Sequence, residues 1–318
     1  MKAFVFPGQG SQSVGMGRAL AEAYPEARAT FAEADAALGW SLSDVIFAGP
    51  ADRLTLTENT QPAILTVSVA AWRVLDARGF RPDVMAGHSL GEYSAHVAAG
   101  TIAFADAVRL VHHRGQYMQE AVSVGHGAMA AILGLDEEGV RAACVEGAEG
   151  DVVSPANLNA PGQVVIAGSA AAVARAGERA KARGAKRVIP LQVSAPFHCA
   201  LMAPAQARLA PELRAVRAYD PGIPVVANVD AELKRDARSA IDALIQQVSA
   251  PVRWEATVRR LASDGVTAYV EVGPGTVLSG LIKKVAREAT ILNLDQPAGL
   301  AAIAALFAAG TAQTSDPS

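Results

Sequence analysis

Asp83-Val84-Met85-Ala86-Gly87-His88-Ser89-Leu90-Gly91-Glu92 reads as three pieces joined end to end. Asp83–Gly87 is a short apolar strand, Gly87-His88-Ser89-Leu90-Gly91 a tight turn, and Glu92–Ala99 a helix closed by Gly100. The two glycines let the backbone turn sharply, and a serine on such a turn is exposed at the carboxyl end of a sheet. The N–H of Leu90 then points to where an oxyanion would form. On the residues alone, the turn is either a nucleophile elbow or a plain Gly-rich connection.

The same alternation extends in both directions. Lys2–Phe6 reads as a buried strand ending at Pro7-Gly8, and Ala19–Leu38, Gln61–Arg78 and Ala103–Val122 read as helices. Strand, sharp turn and helix in repetition predict an α/β fold with a parallel sheet. From residue 127 the pattern changes. Strands are expected at Ala128–Leu133, Val152–Asn157, Gln163–Ala167 and Arg187–Val193, with helices at Asp136–Glu146 and Ala170–Arg183. The order β-α-β-β-α-β predicts a small ferredoxin-like domain inserted in the larger one. Residues 126–194 are assigned to that insert, 1–125 and 195–310 to the large α/β domain, and the polar 311–318 to a frayed tail. Helices at Pro204–Arg217, Ala237–Val248, Val252–Ser263 and Leu278–Ala286, with strands at Val225–Asn228 and Thr267–Val272, resume the first pattern.

Composition narrows the function. A chain of 318 residues, 51% hydrophobic, can bury a full core without disulfides or metals. A mean hydropathy of +0.22 raises the question of a membrane. No run of 18 apolar residues exists to span one, and Leu300–Ala309 is too short. The opening MKAFVFPGQG has too few apolar residues for a signal peptide, so the cytoplasm is the expected compartment. A net charge of −3 argues against general nucleic-acid affinity. The two cysteines, Cys144 and Cys199, make neither a metal-ligand pair nor a disulfide framework.

A serine nucleophile needs a base. His198 follows Ser194-Ala195-Pro196-Phe197, where the insert rejoins the large domain. Pro196 stiffens that approach, and domain junctions often form a cleft wall. His88 is expected to point away from Ser89, and His96 to lie two helical turns from the elbow. His112 and His113 sit mid-helix, either exposed or satisfied, and a histidine such as His198, taken alone, is more often structural. Phe6-Pro7-Gly8-Gln9-Gly10-Ser11-Gln12 is a Gly-rich loop after a strand. It fails both nucleotide patterns, because position 13 is serine and Met16 stands where a P-loop needs lysine. It is a plain turn, or a loop bringing a backbone N–H to a reacting carbonyl. Arg114, beside Gly115 in an apolar helix, is either exposed or reaches into a cleft to grip a carboxylate bidentately.

Together, FPGQGSQ, GHSLGE, RGxxM and APFH, in this order and spacing, resemble the malonyl-CoA:acyl-carrier-protein transacylases. The likeness extends to Asn59-Thr60-Gln61-Pro62-Ala63, to Asn157-Leu158-Asn159-Ala160-Pro161-Gly162, to Gln247 ahead of Pro251-Val252-Arg253-Trp254, and to Glu271-Val272-Gly273-Pro274-Gly275. It spans residues 4 to 295. The resemblance implies a large α/β-hydrolase-like domain and a small ferredoxin-like one. It implies Ser89 as nucleophile, His198 as base, and backbone N–H groups of Gln9 and Leu90 as the oxyanion hole. By the same likeness Arg114 pairs with the malonyl carboxylate, the backbone carbonyl of Gln247 orients the histidine, and Gln61 and Asn159 line the cleft. Phe197 resembles the bulky residue of malonyl-selective members, where a ring would crowd a 2-methyl group. The implied substrates are malonyl-CoA and the phosphopantetheine thiol of an acyl carrier protein, with no metal or redox cofactor. Carrier proteins of this kind are usually acidic. Two basic runs, Lys181, Arg183, Lys186, Arg187 and Lys283, Lys284, Arg287, either steer such a partner or are solvated helix faces.

Overall fold

The computed structural model describes residues 1–123 and 125–311. It contains ten strands: β1 Lys2–Phe6, β2 Val84–Gly87, β3 Gly127–Leu133, β4 Val153–Ala160, β5 Gln163–Ser169, β6 Arg187–Pro190, β7 Val225–Val226, β8 Leu233–Lys234, β9 Ala268–Val272 and β10 Thr290–Leu294. Six form one sheet in the order β10-β9-β1-β2-β7-β8, and four form a second in the order β4-β5-β3-β6. In the first sheet every pairing is parallel except β7 with β8. In the second every pairing is antiparallel. The protein is a mixed α/β molecule, one parallel sheet accompanied by one antiparallel sheet.

Why Lys2–Phe6 is a near-continuous apolar run follows from its place. β1 lies centrally and both faces of its sheet are covered, so neither face can be polar. Phe4 and Phe6 pack with the long helix Thr57–Asp76 in one core, while Ala3 and Val5 pack with Trp254, Val258 and Leu261 in another. A third cluster, built around Ile132, Val140, Cys144 and Ile166, lies between the antiparallel sheet and its two helices, Glu137–Ala148 and Ala170–Ala182.

Several boundaries differ from expectation for identifiable reasons. Ala19–Leu38 is two helices, Arg18–Ala23 and Pro25–Leu38, because Tyr24 precedes a proline and is held extended. The long helix begins at Thr57 rather than Gln61 and carries Pro62 inside it. Proline has no N–H for the carbonyl of Glu58. That carbonyl is instead contacted by His112 Nδ1 at 2.8 Å. Val252 is not helical. It exchanges backbone hydrogen bonds with the second sheet, its N–H donating to Ala156 O at 2.8 Å and its carbonyl accepting from Leu158 N–H at 2.9 Å, and the helix starts at Trp254. This stitch ties the edge of the antiparallel sheet to the parallel part.

β10 and the helix Gly299–Thr311 have no counterpart among the expected elements. That helix places Phe307 against Phe4 and Phe80, with ring centroids 6.0 and 5.0 Å apart, which is why Leu300–Ala309 is apolar. Positions 312–318 of the expected tail lie outside the described residues. Among the described residues no helix is long and apolar enough to cross a membrane.

Candidate active site

β2 ends at Gly87, and the helix Leu90–Ala98 begins three residues later. Ser89, between them, has φ 51° and ψ −108°. A side-chain-bearing residue in that region costs about 1–3 kcal/mol and persists only where its surroundings enforce it. The surroundings here are specific. The N–H of Ser89 donates to Asn228 Oδ1 at 2.7 Å, and Asn228 Nδ2 donates back to the carbonyl of Gly87 at 2.7 Å. One buried amide thus spans the turn. The glycines serve close approach rather than unusual dihedrals: a Cβ on Gly87 would stand 1.9 Å from the Gly91 carbonyl carbon, and one on Gly91 2.0 Å from the Phe6 oxygen.

His198 enters from the other side of a cavity of about 340 Å³. Its Nε2 lies 2.7 Å from Ser89 Oγ and its Nδ1 2.9 Å from the carbonyl of Gln247. A carbonyl only accepts, so Nδ1 carries the proton and Nε2 is left as an acceptor for the serine hydroxyl. Burial, reinforced by the positive charge of Arg114, pushes the imidazole down to about 3. It is therefore neutral at physiological pH and able to take a proton.

Arg114 sits on the helix Phe104–Glu120 and is 1% exposed. Its Nη1 donates to Gln61 Oε1 at 2.7 Å, and its Nη2 to Gln247 Oε1 at 2.9 Å and to Ser89 Oγ at 3.2 Å. Its plane lies over the Tyr93 ring, 5.4 Å from the centroid. Among the described residues no carboxylate stands within ion-pair distance of it. A buried guanidinium without a counter-ion, beside a serine hydroxyl in an open cavity, has the chemistry to pair with an anion.

Gln9, Gln61 and Phe197 line the same cavity, together with Met118, Met129 and Leu191. The side chain of Leu90 is buried in the core. As the first residue of its helix, Leu90 has an N–H with no carbonyl inside the helix to reach. Asn159 is placed differently from a cleft-lining residue. It stands outside the cavity wall, where its Oδ1 lies 2.8 Å from His88 Nε2, while Asn157 takes the lining position. His88 thus engages the antiparallel sheet rather than Ser89, although its ring borders the cavity. His96 is buried with Nδ1 3.3 Å from Thr101 Oγ1, and His113 faces Glu212 at 2.7 Å.

Three features of the site are absent from the sequence reading: Asn228, the carboxyl of Glu92, and the side chain, as opposed to the carbonyl, of Gln247. Glu92 lies inside the GHSLGE motif, which is the one signal that pointed to it. The basic runs are partly occupied. Lys181 and Arg183 pair with Glu178 and Glu146, and Lys284 donates to Gln163 Oε1 at 2.6 Å. Among the described residues no group of three His, Cys, Asp or Glu side chains is placed to hold a metal.

Residues 3–313 match the family described as the acyl transferase domain. A malonyl CoA-acyl carrier protein transacylase of Salmonella typhimurium is 56% identical over 301 residues, covering 94% of this chain and 97% of that protein. One from Bacillus subtilis is 50% identical over 296 residues, 93% of each. Among solved structures, an acyl carrier protein S-malonyltransferase from Vibrio cholerae superimposes with a TM-score of 0.93 at 50% identity, over 95% of this chain and 99% of that one. A malonyl-transacylase in complex with its type II PKS acyl-carrier protein gives a TM-score of 0.93 at 50% identity, over 95% and 98%. Across nearly its whole length, then, this chain belongs to the acyl transferase domain family and, within it, to the malonyl-CoA:acyl-carrier-protein transacylases.

Proposed function

We propose that this protein moves a malonyl group from malonyl-CoA to the phosphopantetheine thiol of an acyl carrier protein, through an ester on Ser89. The observation that carries the reading is the Arg114 guanidinium, free of any carboxylate among the described residues, 3.2 Å from a serine hydroxyl that itself lies 2.7 Å from a neutral imidazole. Nucleophile, base and anion receptor are thereby within reach of one three-carbon acyl group.

His198 Nε2 takes the Ser89 proton as Oγ attacks the thioester carbonyl. The oxyanion that forms is stabilised by the N–H groups of Gln9 and Leu90. The C–S bond then breaks and the CoA sulfur leaves with the proton from His198, giving malonyl-Ser89. In the second half the carrier thiol gives its proton to His198 and attacks the ester carbonyl. The C–O bond breaks and Ser89 recovers its proton. Throughout, Arg114 holds the malonyl carboxylate, Gln61 braces Arg114, and the Gln247 carbonyl keeps the imidazole in the useful tautomer. Phe197 narrows the space beside the acyl chain, and Asn159 acts through His88. Every step is completed by these side chains and amides, so the reaction needs neither metal nor redox cofactor.

We read the parallel part, residues 1–125 and 195–310, as an α/β-hydrolase-like domain. The strand order β4-β5-β3-β6 supports a ferredoxin-like insert at 126–194. The cytoplasm, where CoA esters are made and used, is the compartment that fits this activity. The test is a two-stage transfer. Isolated malonyl-enzyme mixed with holo carrier protein should lose its adduct as malonyl carrier protein forms. Release of free malonate at the same rate with and without carrier protein would make the protein a hydrolase instead.

A further inference from the structure

Glu92 is fully buried one helical turn behind the nucleophile, and the proposed mechanism does not use it. Its Oε2 accepts two hydrogen bonds, from the backbone N–H of Asn228 at 3.0 Å and from Gln247 Nε2 at 2.7 Å. Its Oε1 has no partner among the described residues. Gln247 Nε2 also donates to the carbonyl of Ser89 at 2.9 Å, and Gln247 Oε1 accepts from Arg114 at 2.9 Å.

The polarity of that amide is thereby determined. Two acceptors, Glu92 Oε2 and Ser89 O, face one end of it, and one donor, Arg114, faces the other. Turned over, the amide would set its NH₂ against the guanidinium and its oxygen against two oxygens. Both donors onto Glu92 meet Oε2, so that oxygen must accept whether or not the carboxyl holds a proton, and a proton belongs on Oε1. The same oxygen fastens the backbone of Asn228, whose side chain clamps the Ser89 turn.

We infer that Glu92 is a positioning residue: its Oε2, through the Gln247 amide, fixes the Arg114 guanidinium where it reads the substrate carboxylate. This rests on the reading of Arg114 as the carboxylate receptor. The accepting oxygen is what counts, not the charge. Glu92→Gln can keep an oxygen at Oε2 and a donor at Oε1, whereas Glu92→Met fills similar space with no acceptor.

The experiment measures kcat and KM for malonyl-CoA and acetyl-CoA in the wild type, Glu92→Gln, Glu92→Met, Gln247→Met and the double variant Glu92→Met/Gln247→Met, with Tm for each. The malonyl preference of the wild type tests the Arg114 reading itself. If that preference is absent, that reading fails whatever Glu92 does. Given the preference, Glu92→Met should reduce it about ten-fold, the size of one hydrogen bond lost beside a charged group. Most of that loss should appear in KM for malonyl-CoA. Glu92→Gln should keep the preference within a few-fold, and Glu92→Met should add nothing in a Gln247→Met background. An equal fall for both substrates in Glu92→Met would make Glu92 merely structural and overturn the proposal. So would a Glu92→Gln variant as impaired as Glu92→Met, which would point to charge instead. Should Glu92→Met not fold, Gln247→Met decides: it retains the backbone carbonyl that holds His198, and an unchanged malonyl preference there contradicts the chain from Glu92 to Arg114.

Discussion

The imidazole of His198 is held by the main chain of Gln247, whose carbonyl accepts from Nδ1 at 2.9 Å, where hydrolytic serine triads often place a carboxylate. A carbonyl fixes the tautomer without adding charge, and the nearest strong charge, Arg114, is positive. Burial first, and that positive charge second, keep the imidazole weakly basic in the resting site. In the proposed mechanism a malonyl carboxylate on Arg114 would offset that charge.

Replacing His198 with alanine removes the proton acceptor and should lower transfer by about 10²–10⁴-fold. Alanine at His88, His96, His112 or His113 should cost far less, since none of these rings meets Ser89. Steady-state rates of the five variants check this, and a near-normal His198→Ala would remove it from the base role.

Arg114→Ala should cost malonyl-CoA about 2–5 kcal/mol, roughly 30- to 4,000-fold in kcat/KM, because the substrate carboxylate is left buried and unpaired. Acetyl-CoA has no carboxylate and should lose little. The ratio of the two kcat/KM values in wild type and variant measures this. Equal losses would assign Arg114 to structure or to the CoA moiety.

Asn228→Ala orphans two backbone groups, the part-buried Ser89 N–H and the buried Gly87 carbonyl, at up to about 1–3 kcal/mol each. The variant should melt at lower temperature and acylate more slowly, with its malonyl-to-acetyl preference kept. Burst kinetics and the malonyl-to-acetyl ratio separate it from Arg114→Ala, which should change that preference.

Stability should carry two opposed pH dependences. His96 and His198 are lowered from 6.5 to about 3, so the unfolded chain binds protons that the folded one refuses, and stability is lost as pH falls below 6.5. Glu92 is raised by burial from 4.5 to about 7, with Asp230 adding to the rise and Gln247, Asn228 and Arg114 opposing it. Here the folded state holds the extra proton, so its contribution is lost as pH rises from 4.5 through 7. Glu92→Gln removes the second dependence only. Its stability should climb more steeply than the wild type's over that window, by up to about 1.4 kcal/mol per pH unit. Urea unfolding at several pH values measures the slopes, and parallel curves would show that Glu92 does not titrate there.

The Ser89 turn was legible because its demands are local. A strand, two glycines at points of close backbone approach and a helix start lie within a dozen residues. The strand and helix order of the antiparallel sheet is legible for the same reason. Gln247 was reached only through family likeness, since a backbone carbonyl leaves no mark on residue type. Asn228 is 139 residues from the serine it clamps, and Glu92 looked like one more polar helix residue. Buried hubs of this kind emerge only when distant segments converge. Val252 reads as helical because its partners, Ala156 and Leu158, are remote in sequence, and β10 goes without an expected element because a short strand with Asn293 has no apolar alternation to announce it.

The central claim is that Ser89, and no other residue, carries the malonyl group. Intact-mass spectrometry after brief exposure to malonyl-CoA, followed by peptide mapping, addresses it directly. The account predicts one malonyl adduct on the peptide containing Ser89 in the wild type and none in Ser89→Ala. An adduct that persists in Ser89→Ala, or maps to another peptide, would contradict it.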